Sequence, residues 1–91
     1  MELYSVATGN VDPLNTASRE AVKFIKSLSG LIGVHPGSNR GTLWMFDSID
    51  HARSAKNRMD EAGITTGTNI CKFKMCKDGS AEFQSVCERI V

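Results

Sequence analysis

Apolar positions along this chain gather into seven short stretches separated by clusters of Gly, Pro, Asn and Asp, and the spacing inside each stretch predicts its secondary structure. Leu3 to Thr8 holds Tyr, Val and Thr ahead of the Gly9-Asn10 breaker and predicts a first strand. Asp12-Pro13 then reads as a helix start, because Asp accepts from first-turn amides and Pro lacks the amide that would go unpaired. Leu14, Ala17, Ala21, Phe24, Ile25 and Leu28 fall within an arc of about 100° when residues are spaced at helical angles, and Gly30 ends that helix. Leu31 to Val34 is a short apolar segment, strand or loop, followed by the turn-rich His35 to Gly41. Thr42 to Phe46 completes a hairpin. Asp47 or Ser48 caps a second helix whose stripe is Ile49, Ala52, Ala55, Met59 and Ala62, with Gly63 as its stop. Ile70 to Cys76 alternates Ile70, Lys72 and Lys74 with Cys71, Phe73 and Met75, as a strand with two unlike faces does. Asp78-Gly79-Ser80 reads as a break, and Phe83, Val86, Cys87 and Ile90 as the stripe of a last helix.

The predicted class is therefore α+β, a ferredoxin-like split βαβ sandwich (βαββαβ) with an additional C-terminal helix, in a single domain over residues 1–91. In that architecture two helices cover one sheet face, and Ala17, Ala21, Ala52 and Ala55 allow them to approach closely. If Phe46 and Phe73 point toward the helices, Trp44 and Thr42 do too. Leu43, Met45, Ile70, Lys72 and Lys74 are then left on the bare face, with Tyr4 beside them. The stripe of the last helix needs cover as well. The same bare face supplies it, within one chain or across a dimer.

Residues Asn39 to Cys76 resemble the second half of an RNA-recognition motif: Arg40-Gly41 enters a strand, Phe46 closes it, and Ala52 and Ala55 follow on a helix. Leu3-Tyr4 is similar to that family's first-strand motif. The resemblance implies the fold and base stacking on two aromatic positions of the second motif. Those positions fall on Gly41 and Leu43 when Phe46 closes the motif. Anchoring on Arg40-Gly41 instead supplies Trp44 but places Thr42 at the other position and drives Asp47 inward, a costly site for an unpaired acid. The topology is also similar to that of acylphosphatases, but the loop Gly9 to Pro13 has no Arg and carries an Asp that repels phosphate.

Charge changes the picture only slightly. Eleven Lys and Arg stand against ten Asp and Glu, a net charge of +1 that argues against binding nucleic acid or an anionic membrane over the whole surface. No apolar run approaches the roughly 20 residues of a membrane span, and the N-terminal segment lacks the pattern of a signal peptide. Three cysteines, an odd number, read as reduced thiols and point to a cytoplasmic protein. Cys71 and Cys76 are five apart on a strand, so they face opposite ways and form no shared zinc site. His51 stands with Asp47 and Asp50 in the first turn of a helix, where acids favour the helix dipole, and no nucleophile is placed beside it. No enzymatic activity, cofactor or metal is expected.

The expectation that follows is a non-enzymatic interaction or regulatory module. It would bind a protein partner or form a homodimer through Tyr4, Leu43, Met45, Ile70, Lys72 and Lys74, without a membrane. The alternative is a nucleic-acid-binding module using Arg40, Arg53, Lys72 and Lys74.

Overall fold

The structure, a computed structural model, describes residues 2–9, 11, 18–36 and 41–89. Among the described residues the fold is α+β, with five antiparallel strands and two helices in the order β1 (Glu2–Thr8), α1 (Arg19–Lys26), β2 (Leu31–Pro36), β3 (Thr42–Phe46), α2 (Ile49–Glu61), β4 (Asn69–Met75) and β5 (Ala81–Arg89). Across the sheet the strands run β2-β3-β1-β4-β5. Leu31 to Val34, which could have been loop, lies within β2. The helix start expected at Asp12-Pro13, with Leu14 and Ala17, lies outside the described residues.

The C-terminal helix is corrected. Residues 81–89 form a strand paired to β4. The reason lies in the turn before it. Gly79 has φ +87°, a conformation that glycine adopts without strain, and the backbone bonds Cys76 N–H to Ser80 O (2.8 Å) and Gly79 N–H to Cys76 O (3.0 Å) close a tight hairpin over Lys77-Asp78-Gly79. The Asp78 carboxylate accepts from the Ser80 hydroxyl at 2.6 Å and from its amide at 3.0 Å, and these bonds hold its pKa below the ordinary carboxylate value. Asp-Gly is a hairpin signal when apolar alternation continues on both sides, as Met75 and Phe83 do here.

Both helices pack on one face of the sheet. Ile25 of α1 and Ala52, Ala55 and Met59 of α2 close over Val6, Trp44, Phe46 and Ile70, with Val11 from the loop after β1. Ala21 and Phe24 flank this core at helical spacing, whereas α1 ends at Lys26, short of the stop expected at Gly30, and Leu28 joins them from beyond the helix. Ser48 caps α2 by accepting the His51 amide (3.1 Å). At the other end Gly63, at φ +81°, closes the helix as Ile64 N–H reaches Met59 O (2.9 Å) and Gly63 N–H reaches Asp60 O (3.1 Å). Among the described residues no helix is long and apolar enough to cross a membrane.

Two polar arrangements fix the core against its loops. The indole N–H of fully buried Trp44 donates to the Thr8 hydroxyl at 2.9 Å, and that hydroxyl donates to the Val11 carbonyl at 2.9 Å. The one polar atom of the largest core side chain is thereby satisfied, and the loop after β1 is tied to β3. The second holds α2 to the β4 approach. Buried Lys56 donates to Asp60 (2.9 Å) and to the Thr66 hydroxyl (2.7 Å), which itself donates to the other Asp60 oxygen (2.7 Å). The Thr66 hydroxyl, the largest influence, and the Lys56 ammonium hold the Asp60 carboxyl below its ordinary pKa against the opposing push of burial.

Both arrangements are testable. Thr8→Val leaves the buried indole N–H without an acceptor and should cost about 1–3 kcal/mol in urea unfolding, with Thr8→Ser retaining most of the stability. Because Asp60 is lowered in the folded chain, its contribution is complete above the ordinary carboxylate range and is lost as pH falls through the lowered value. The urea midpoint should therefore drop on acidification, and Thr66→Val should flatten part of that drop. An acid profile identical in the two chains would remove the triad from the account of stability.

Candidate functional site

Register determines which side chains share a face, and it divides the expected site. The helix-side residues of β1 and β3 are those in the core, Tyr4 and Val6 opposite Phe46 and Trp44. On β4 the core residue is Ile70, fully buried. Ile70 and Phe73 are an odd number of positions apart, so they cannot both face the helices. Ile70 does, and Phe73 faces away. This corrects the placement of four residues: Tyr4, Ile70, Lys72 and Lys74 are on the helix side of the sheet, not on its second face. Leu43 and Met45 do lie on the second face, Leu43 half-buried and Met45 fully buried. Arg40 lies outside the described residues.

The second face is also less bare than the fold class implies. Its residues form cross-strand rows: Gly33, Met45, Ser5, Cys71 and Val86 in one, and Leu3, Phe73 and Phe83 in the next. Leu3, Ser5 and Met45 are buried, so the middle of this face offers no surface. Exposure begins at the hairpin formed by β4 and β5. Phe83 is 55% exposed and Val86 44%, beside half-buried Cys71, Phe73 and Met75. The Phe73 and Phe83 rings meet edge to face, centroids 5.6 Å apart and planes at 75°. Burial pushes the Cys71 thiol pKa up, although a hydrogen bond with Ser5 opposes it.

The other side of the same hairpin is polar. Lys72 bonds Glu2 at 2.9 Å, Tyr4 donates to the second Glu2 oxygen at 3.3 Å, and Lys74 stands in register between Glu2 and Glu82. Glu2 is lowered first by its hydrogen bond and then by its charge contact with Lys72, whose own pKa Glu2 raises. Tyr4 is raised, chiefly by desolvation and then by the Glu2 charge. Arg53, exposed on α2, contacts Asp50 at 3.4 Å. The bases expected to meet phosphate are thus interleaved with carboxylates.

The hairpin therefore carries its apolar side away from the helices and its charged side toward the layer they occupy. In the rest of the sheet the helix side holds the core, and the second face is apolar as well, through Leu3, Leu43 and Met45. Phe73, Phe83 and Val86 were the residues that sequence reasoning missed as site members. The available signal was the Asp78-Gly79 turn, which makes residues 81–89 a strand and pairs Phe83 with Phe73.

The Asp47 carboxylate meets the His51 imidazole Nδ1 at 2.5 Å, both half-exposed at the start of α2. Among the described residues no group of three or more His, Cys, Asp or Glu side chains is placed to hold a metal ion. Comparison with protein-family models, with curated proteins and with solved structures finds no match.

The charge contact gives a direct check. Lys72→Met should raise the Glu2 pKa toward its ordinary value, read by carbon-detected NMR titration of the carboxylate, and should bring the Tyr4 hydroxyl along only weakly. An unchanged Glu2 titration would mean that the pair does not persist in solution.

Proposed function

We propose that this chain is a small non-enzymatic interaction module that binds a protein surface through the apolar side of its β4–β5 hairpin. The observation that carries the reading is the apolar side that the hairpin leaves exposed. A two-layer fold gains stability by turning apolar strand faces toward its helices, yet Phe83 and Val86 spend theirs on solvent. Contiguous exposed apolar surface on a chain this size is the ordinary mark of an interface, and the half-buried Met75 adds an adaptable side chain beside it. Leu43 belongs to the same face. Tyr4, Ile70, Lys72 and Lys74 drop out as contact residues, because they serve the core or the Glu2 cluster.

The scaffold reading follows from strand order. β1 lies between β3 and β4, with β2 beyond β3, and α1 and α2 are on one face, which supports a ferredoxin-like split βαβ unit with β5 appended at its β4 edge. A cytoplasmic location is supported by Cys71, Cys76 and Cys87, all free thiols. Nucleic-acid binding ranks second because Lys72, Lys74, Lys56 and Arg53 stand beside carboxylates rather than beside exposed rings.

Phe83→Lys should abolish association while costing about 0.5–1.5 kcal/mol of stability, the worth of the lost edge-to-face contact with Phe73. Lys74→Ala, on the other side of the hairpin, should leave association intact. Light scattering reports self-association, and capture from host lysate with both variants reports other partners. If the native chain is monomeric and the same proteins are captured by native and Phe83→Lys chains, the reading is lost. Salt-sensitive binding to single-stranded RNA or DNA would promote the second reading in its place.

A further inference from the structure

The two helices share one layer but treat their charge differently. On α2 bases have neighbouring acids: Arg53 contacts Asp50 at 3.4 Å and Lys56 bonds Asp60 at 2.9 Å. On α1 Arg19, Lys23 and Lys26 are exposed, and among the described residues no carboxylate pairs with any of them. Positions i, i+4 and i+7 fall within an arc of about 60° at helical spacing, so the three form one stripe, on the side away from buried Ile25. Glu20 is turned about 100° from Arg19. The helix holds three bases and one acid, a local charge of +2 in a chain whose net charge is +1.

Folding does not account for this stripe. Cations in the last turn suit the negative end of the helix dipole, which explains Lys23 and Lys26. Arg19 is the first helical residue, where a cation meets the positive end instead. Arg19 with Lys23 and Lys23 with Lys26 are also like charges four and three apart, which repel. The chain thus keeps a local cost that an anionic neighbour would turn into attraction.

We propose that the stripe is the docking surface for an acidic helix of a partner protein, on the opposite side of the sheet from the hairpin's apolar side. Spacing and surroundings choose that partner among anions. The three Cα atoms rise about 10 Å along the axis, in steps of about 6 and 4.5 Å, and carboxylates at i, i+4 and i+7 of a helix laid alongside repeat those steps. Single-stranded nucleic acid would need a ring to stack on beside the bases, and the aromatic residue of α1, Phe24, packs against the core. A membrane surface would need apolar side chains to insert, and Ala21, Val22, Phe24 and Ile25 all pack inward. The proposal stands apart from the hairpin reading, since the two surfaces have no residue in common.

The test titrates a synthetic alanine-based helix, with Glu repeated four and three residues apart, into the full chain and follows the amides by NMR. At low salt the shifts should centre on α1 and fade as added salt screens the charges. Lys23→Gln, which keeps a good helix former, should weaken binding by at least about threefold. Arg58→Gln, at an exposed base on α2, and Phe83→Lys, on the hairpin, should bind as the native chain does. Arg19→Glu should lose binding yet raise the urea midpoint, because an acid suits the helix start. The proposal is overturned if the α1 amides do not shift at low salt, if Lys23→Gln binds like the native chain, or if Arg19→Glu unfolds more easily. Tighter binding to duplex DNA, single-stranded RNA or anionic vesicles than to the peptide overturns it too.

Discussion

A single indole organises the molecule. Trp44 is the largest fully buried side chain, and its ring sits where β1, β3 and the helices converge. An apolar ring of that size supplies much of the burial a small chain can achieve, but it brings one N–H that must find an acceptor inside. Thr8, directly opposite Thr42 at the end of β1, provides it and passes the obligation to the Val11 carbonyl. The register of β1 on β3, the position of the loop that follows β1 and the seating of α2 over Val6 and Trp44 all depend on that arrangement. Moving β1 by one residue would turn Thr8 away and leave the indole unsatisfied.

With that core in place, the hairpin at the other end of the sheet obeys a different rule. Strands β3 and β1 present apolar residues to the helices, whereas β4 does so only at Ile70 and then reverses. Alternation from Ile70 turns Phe73 to the outer face, where Phe83 meets it in register, and the irregular pairing of β5 brings Val86 to that face as well. Such bulges bend a strand and re-aim its side chains. The arrangement is costly for a small domain, since two large apolar side chains remain in water.

The helices and first four strands were legible because each carried its own local signal. Ala52, Ala55 and Met59 repeat at helical spacing, Ser48 can cap and Gly63 can stop, and each does so. Trp44 and Phe46 share a face by simple alternation. The last element was not legible in the same way because Phe83, Val86 and Cys87 fit a helical stripe as well as a bulged strand. Only the turn chemistry of Asp78-Gly79 decides between them, and it had been weighed as a break alone. The error on β4 was one of phase. Ile70 and Phe73 compete for the same side, alternation leaves the choice between them open, and tertiary context gave the core to Ile70 and paired Phe73 with a strand that the helical reading had removed. The burial of Leu3, Ser5 and Met45 could not be read from alternation at all, because alternation assigns a face without saying what covers it.

The position of β5 at the end of the strand order has a consequence for how this chain can change over generations. It pairs with β4 alone in the sheet, and none of its residues belongs to the cluster beneath the helices. Substitutions there are released from the packing demands that Trp44 and Phe46 impose on their neighbours. The arm can drift, lengthen or acquire new chemistry while the framework that displays it stays as it is.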